Sequence, residues 1–202
     1  VGPCPLTNTP PAKVTRSQYS FTGGPFGSDL KSSDYTTEGV RVIQLQNIGD
    51  GHFLNDYQIF TSEIKADQLI SCNIYPNDIL LSKMGDPVAR ACIVPDYHER
   101  YLMCSDGIRL VVNKKKFDMY FVYSFINSSM FRNKAESASS GSTRKRIGLT
   151  QLRSLSVLCP TLKEQQKIAQ FLTAIDHKID AVSQQIDCME QFKKGLLQKM
   201  FI

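Results

Sequence analysis

The stretch TLKEQQKIAQFLTAIDHKIDAVSQQIDCMEQFKKGLLQKMF, residues 161–201, decides how the rest of the chain is organised. Apolar residues recur along it at alternating steps of four and three, which is the 3.5-residue spacing of a coiled-coil seam. At its start, Thr161 and Glu164 form the capping-box pattern that opens a helix. A helix over Leu162–Met200 would be roughly 60 Å long at about 1.5 Å per residue. Because that is too long for the surface of one small domain, the pattern predicts a helix that pairs with a partner.

The predicted pairing residues are the apolar members of this seam, which Lys193 interrupts once: Ile168, Leu172, Ile175, Ile179, Val182, Ile186, Met189, Leu196 and Met200. A seam of this kind buries its stripe only when a second helix covers it. We therefore expect the chain to dimerise through residues 168–200.

Ahead of the helix, short apolar or alternating runs separated by turn residues predict strands. They cover Val40–Gln46, Ile79–Leu81, Ala89–Val94, Tyr101–Cys104 and Gly107–Val112. The predicted fold class is α+β: a mixed, mostly antiparallel β domain with flanking helices, followed by one long coiled-coil helix. We divide the chain into an irregular lead-in at 1–20, a globular domain at 21–160 and the long helix at 161–202.

Two further helices are expected inside the globular domain. Residues 62–70 can form a short helix with Ile64 and Leu69 facing inward. Between Phe117 and Arg132 the apolar period becomes helical, so a single helix is predicted there. Residues 135–143, which are small and polar, predict a flexible loop.

Composition narrows the class of protein. The 202 residues, 42% of them hydrophobic, can hold one domain and the helix. No apolar run approaches the roughly 20 residues that cross a bilayer, and no signal segment opens the chain, so we expect a cytoplasmic protein without a membrane partner. The six cysteines are scattered without a C-x-x-C pair, which favours reduced thiols and predicts no metal site.

Sequence motifs for catalysis are missing. The turn Phe21–Pro25 has only a loose similarity to a turn that binds S-adenosylmethionine, and Pro25 removes a backbone donor that such a turn needs. No phosphate-binding loop is present, and the three histidines are far apart in sequence. We predict neither catalytic residues nor a cofactor.

Positive charge is concentrated in one part of the sequence. Residues 109–153 hold ten of the 24 basic residues and only two of the 19 acidic ones. Such local excess is typical of a protein that binds a polyanion. An isolated Arg-Lys-Arg run is also common on solvated surfaces, so both interpretations stay open for Arg144–Arg146 taken alone.

Hydroxyl, cationic and amide side chains are the groups that contact phosphates and base edges in DNA. The candidates with these groups lie in the 142–146 run, at strand ends and in a lysine turn: Ser142, Thr143, Arg144, Lys145, Arg146, Lys83, Arg90, Lys114, Lys115, Gln44 and Asn47. Lys83, Arg90 and Arg109 flank predicted strands, and each of them faces either solvent or DNA.

Six blocks of sequence, taken together, resemble one known family. They are FTGGPFGSDLK (21–31), VIQLQNIGDG (42–51), NDILLSKMGD (77–86), GSTRKRI (141–147), CPTLKEQQKIA (159–169) and KKGLLQKMF (193–201). In this order the chain resembles the specificity subunit of a type I restriction–modification system. The resemblance covers nearly all of the chain after Phe21.

The resemblance implies a non-catalytic subunit whose globular domain reads double-stranded DNA and whose long helix docks methyltransferase subunits. It also implies a motor–nuclease subunit in the same complex, and an antiparallel pair of long helices that sets two recognition domains on a bipartite site. With one domain and one helix, the chain corresponds to a half-subunit or to part of a longer one. The alternative from another class is an assembly protein that binds no DNA and acts through its coiled coil.

Overall fold

The structure is a computed structural model that describes residues 3–5, 19–141 and 144–201. Its strands are β1 (Pro3–Pro5), β2 (Phe21–Gly23), β3 (Tyr35–Thr36), β4 (Val40–Ile43), β5 (Ile59–Thr61), β6 (Asn73–Ile74), β7 (Ile79–Ser82), β8 (Ala91–Ile93), β9 (Tyr101–Met103), β10 (Gly107–Leu110) and β11 (Ser156–Leu158). Its α-helices are α1 (Glu63–Gln68), α2 (Met119–Ile126), α3 (Ser129–Ala138), α4 (Leu149–Ser154) and α5 (Leu162–Met200).

A four-stranded antiparallel sheet, in the order β2-β10-β7-β8, runs through the centre of the globular part. Successive side chains of a strand point to opposite faces, and in β7 both faces are covered. Ile79 and Leu81 pack with α2, α3 and α4 in one apolar cluster, whereas Leu80 packs with the second sheet in another. This is why all four residues of β7 are buried.

The second sheet has the order β3-β5-β4-β9-β6. Its strands are antiparallel except for β4 and β9, which run parallel. The predicted class of mixed, mostly antiparallel sheets followed by a long helix is therefore confirmed. Strand β4 ends at Ile43, three residues before the predicted end, because Leu45–Asn47 forms a 3-10 turn.

Four local predictions were wrong in whole or in part. The lead-in is not irregular throughout, since β1 pairs antiparallel with β11. Ile64 is 72% exposed and does not face the core. The single helix predicted from Phe117 to Arg132 is two helices, because the Ser128 hydroxyl caps α3 by accepting from the Phe131 N–H. α3 extends to Ala138, so the first part of the predicted loop is helical.

The long helix α5 has the predicted bounds and the predicted cap. Thr161 and Glu164 exchange hydrogen bonds, and those from the Thr161 hydroxyl and N–H lower the pKa of the Glu164 carboxyl. In the part of the chain that the structure describes, no helix is both long enough and apolar enough to cross a membrane.

The base of α5 is fixed to the globular part through a buried glutamine. Gln165 is 1% exposed; its Nε2 donates to the Pro160 carbonyl (2.9 Å), and its Oε1 accepts from the Asp118 N–H (3.0 Å). Ala169, one turn further on, is also buried, and the Tyr120 hydroxyl of α2 bonds to Asp176. Beyond Asp176 nearly every residue of α5 is exposed, so the helix projects away from the domain.

Candidate nucleic-acid interface

The run Arg144–Arg146 lies on a short loop that we call the basic hairpin, residues 140–146. Ser140 and Arg146 close it with two backbone hydrogen bonds of 2.9 and 2.8 Å. Gly141 has a φ of 101°, and a Cβ there would lie 2.6 Å from the Arg144 carbonyl oxygen. The turn therefore requires glycine at this position. Ser142 and Thr143, two of the predicted phosphate ligands, lie outside the described residues.

The basic hairpin is held against the connection between β7 and β8. The Gly85 N–H donates to the Lys145 carbonyl (3.3 Å), and the Ile147 N–H donates to the Lys83 carbonyl (2.8 Å). A bridge between Met84 and Arg146 adds to this contact. A surface cleft of about 420 Å³ lies here, and it is lined by Leu45, Met84, Gly85, Asp86, Glu136, Arg144 and Lys145. These contacts hold the hairpin in a fixed position at the end of β7.

The cations of the hairpin differ in how they are paired. Lys145 forms an ion pair with Glu136, and Arg146 forms one with Asp106. Arg144 is exposed and forms no ion pair with the residues that the structure describes. Both side chains of the Lys145–Glu136 pair are exposed, and an exposed ion pair contributes only about 0–1 kcal/mol, so a phosphate can replace the Glu136 carboxylate at little cost.

Lys83 lies next to the hairpin and is half-buried. Its Nζ donates to the Ser105 carbonyl (2.6 Å), and burial lowers the pKa of the ammonium while nearby Asp106 raises it. Lys83 and Arg146 both line a cleft of about 720 Å³ between the Thr22–Phe26 turn and the start of α4. The structure therefore brings Lys83 together with the basic hairpin.

The lysine turn at residues 114–116 is not part of this surface. Strand β10 pairs its Gly107 end with Ser82, beside the hairpin, and its Leu110 end with Ile79. The exposed Lys114 and Lys115 follow the Leu110 end, where the Lys116 carbonyl accepts from Gln165 at the base of α5. The structure separates these two predicted DNA ligands from the rest.

Two of the ten basic residues counted in 109–153 are internal. Arg109 is 1% exposed and pairs with Asp78, and Arg132 is 8% exposed and pairs with Asp50. The exposed basic patch in residues 109–153 therefore contains fewer cations than the ten basic residues of the sequence suggest.

Asn47 was wrongly predicted to read bases. It is fully buried, its Oδ1 accepts from the Gln44 N–H (2.9 Å), and its Nδ2 donates to the carbonyls of Leu54 (2.9 Å) and Tyr57 (2.8 Å). It holds the 3-10 turn and the following loop together. Gln44 is half-buried, and its Nε2 donates to the Tyr35 hydroxyl (2.9 Å).

Gln44 and Arg90 lie in the same surface cleft, which sequence reasoning did not foresee. This cleft of about 560 Å³ is lined by Tyr35, Gln44, Leu45, Gln46, Tyr57 and Arg90. Leu45 also lines the cleft under the hairpin, so the two are neighbours. The sequence does not indicate either tyrosine, because nothing near Tyr35 or Tyr57 in the chain places it beside Arg90.

Among the described residues, no group of three or more His, Cys, Asp or Glu side chains could hold a metal ion. The cysteines Cys72, Cys92, Cys104, Cys159 and Cys188 are free thiols, as predicted for them. Burial raises the pKa of the Cys92 thiol to about 12, so this thiol is protonated at neutral pH.

Most of the predicted pairing residues on α5 are not covered by the described chain. Leu172 is half-buried near the base, and the others range from 37% exposure at Ile175 to 70% at Met200: Ile168, Ile175, Ile179, Val182, Ile186, Met189, Leu196 and Met200. Phe171 and Phe192 add exposed aromatic surface. A stripe of this size is typical of a surface that contacts another protein.

Comparisons with known proteins show which family this chain resembles. The family described as type I restriction modification DNA specificity domain matches residues 34–191. The MjaVIII specificity subunit of a type I restriction enzyme from Methanocaldococcus jannaschii is 22% identical over 175 residues, covering 85% of this chain and 41% of that protein. The StySPI specificity subunit of a type I restriction enzyme from Salmonella potsdam is 25% identical over 162 residues, covering 78% of this chain and 34% of that protein.

A solved structure has the same fold. The crystal structure of the HsdS subunit from Thermoanaerobacter tengcongensis superposes with a TM-score of 0.55 at 16% identity, over 89% of this chain and 42% of that one. The chain thus spans about two-fifths of the length of the proteins that it matches.

Proposed function

Because this chain belongs to the family of type I restriction–modification DNA specificity domains, we propose that it recognises one half of a bipartite target in double-stranded DNA. Methylation and cleavage belong to partner subunits: methyltransferase subunits that dock on α5, and a motor–nuclease subunit that joins through the complex. We place this activity in the cytoplasm, with the DNA.

The observation that carries this proposal is the position of the basic hairpin. The hairpin and Lys83 lie at one end of β10. The lysine turn follows the other end of this strand, and there it contacts the base of α5. Lysine and arginine bind phosphates mainly through charge, and this term supplies most non-specific affinity for DNA. The chain can therefore contact DNA at one end and other proteins at the opposite end.

The seam of α5 supports a second part of the proposal. Two copies would pair their helices antiparallel, which covers both apolar stripes and places the two hairpins far apart. A two-fold dimer binds two half-sites in inverted orientation, and the distance between its recognition domains sets their spacing. Where the chain is part of a two-domain subunit, the second helix of that subunit takes the place of the second copy.

Removing the hairpin cations tests the DNA contact. The triple variant Arg144→Ala, Lys145→Ala, Arg146→Ala should bind duplex DNA more weakly than the parent chain in the assembled methyltransferase. If two or three phosphates lose their cation, the slope of log affinity against log salt becomes shallower by about 1.8–2.7, since each phosphate contributes about 0.9. Fluorescence anisotropy over a salt series measures this slope.

The lysine turn offers a matched control with the same loss of charge. The variant Lys114→Ala, Lys115→Ala, Lys116→Ala should change the slope by about 0.5 or less, because these residues lie at the far end of β10. Equal slopes in the two variants would contradict a DNA contact at the hairpin. A parent complex without salt-dependent DNA binding would instead favour the assembly protein that acts only through its coiled coil.

A further inference from the structure

The cleft that contains Arg90 is lined by several side chains that can form hydrogen bonds. It is open to solvent beside the basic hairpin, with an exposed amide at Gln46 and hydroxyls at Tyr35 and Tyr57. Because Leu45 lines both this cleft and the one under the hairpin, a duplex held by the hairpin cations would pass next to it. The inference below rests on the proposed DNA-binding function.

Arg90 lacks a protein partner in this cleft. Its Nε is buried without a hydrogen bond, and no described residue forms an ion pair with its guanidinium. In contrast, Arg100 pairs with Glu63 and Asp67, and Arg132 pairs with Asp50. Arg90 lines the open cleft, so a ligand there that accepts hydrogen bonds can pair with the guanidinium nitrogens that Arg90 presents to the cleft.

The backbone holds Arg90 in a fixed position. Ala89 is fully buried and has a φ of 59°, a left-handed conformation that is unfavourable for alanine. On the other side, the Arg90 carbonyl accepts from the Ser82 N–H (2.8 Å) at the end of β7. Arg90 therefore follows a strained residue that the surrounding core keeps in place.

The guanidinium of Arg90 lies close to Gly85. A Cβ at Gly85 would lie 3.4 Å from Cζ of Arg90, so the guanidinium lies beside the position that a side chain at Gly85 would take. The same Gly85 donates its N–H to the Lys145 carbonyl of the basic hairpin. The hairpin is bonded to Gly85 and the guanidinium lies beside the same residue, so the two are close together.

A planar guanidinium with free donors matches one base edge best. In the major groove, guanine presents O6 and N7 as two adjacent acceptors, and arginine donates to both. We propose that Arg90 is a specificity-determining residue, which reads a guanine in the half-site from the cleft of Tyr35, Gln44, Gln46 and Tyr57.

The test is selection of duplexes from a random library by the assembled methyltransferase complex, followed by sequencing. The parent complex should select a half-site that contains a guanine. Arg90→Ala should relax that position alone, with the preference for guanine falling about 5- to 150-fold, while the other positions keep their preferences. Arg90→Lys keeps the charge but loses the planar fork, so it should also weaken the guanine preference.

Arg100→Ala is the matched control. Arg100 comes just before Tyr101, the first residue of β9, and the start of β9 pairs with the start of β4. Gln44, in contrast, comes just after the end of β4. It therefore lies at the opposite end of that sheet, and its replacement should leave the motif unchanged.

Three results would overturn the inference. The first is a half-site without guanine, and the second is an unchanged motif in Arg90→Ala. The third is a loss of DNA affinity in Arg90→Ala that is equal for all sequences and that Arg90→Lys restores. The last result would make Arg90 a phosphate contact. Should Arg90→Ala fail to fold in thermal unfolding, Arg90→Lys decides the question alone. If the parent complex selects no motif, the proposed function itself fails, which is a distinct outcome.

Discussion

Replacing Asp78 with alanine should lower the free energy of unfolding by about 3–5 kcal/mol, the range for breaking a buried ion pair. The Asp78 carboxylate accepts from Nε of Arg109 (2.8 Å) and from the Tyr75 N–H (2.9 Å). Both side chains of the ion pair are almost fully buried, at 1% exposure for Arg109 and 5% for Asp78. The substitution would leave the guanidinium in the interior without its counterion. Denaturation with urea, followed by circular dichroism, measures the difference.

Asp67→Ala is the matched control for Asp78→Ala, because Asp67 also pairs with an arginine but is 63% exposed. It should cost about 1 kcal/mol or less. The double variant Asp78→Leu, Arg109→Met should be less destabilised than Asp78→Ala, since an apolar pair leaves no buried charge. Equal losses for Asp78→Ala and Asp67→Ala would show that the buried pair is not important for the fold.

Replacing Ile179 with aspartate should weaken self-association through α5 about 100-fold or more. Burying an isoleucine contributes about 1.5–3 kcal/mol, and each substitution occurs twice in a two-fold dimer. A loss of about 3–6 kcal/mol corresponds to roughly 10²- to 10⁴-fold in Kd. Ile179 is 56% exposed in the single chain, so the fold should not change. Sedimentation equilibrium of the 202-residue chain measures the effect.

Gln184→Asp introduces the same charge on the opposite side of α5 and should leave the Kd within a few-fold of the parent value. Gln184 is exposed and five residues from Ile179, which at about 100° per residue turns it away from the seam. A parent chain that sediments as a monomer at tens of micromolar would contradict pairing of α5 with a second copy.

The long helix could be predicted to the residue because its signals are local. The hydroxyl of Thr161 and the carboxylate of Glu164 are three residues apart, and the apolar spacing continues for many turns. The strands around Ile79–Leu81 and Tyr101–Met103 were found for a similar reason, since apolar residues follow turn residues there.

The site was harder to predict because it depends on contacts between distant residues. Asn47 and Arg109 have side chains typical of DNA ligands, yet Asn47 bonds to Leu54 and Tyr57, and Arg109 pairs with Asp78, 31 positions away. A count of charges cannot tell an ion pair in the core from a cation on the surface. The sequence also could not show that the turn with Lys114 and the basic hairpin lie at opposite ends of β10.

The most direct test of the central claim is sequencing of the duplexes that the assembled complex, with the parent chain as its specificity component, selects from a random library. We expect one enriched motif, with two half-sites separated by a spacer of fixed length and unselected sequence. For two copies of this chain the half-sites are inverted repeats. Bound duplexes with the same composition as the input library would contradict sequence recognition by this chain.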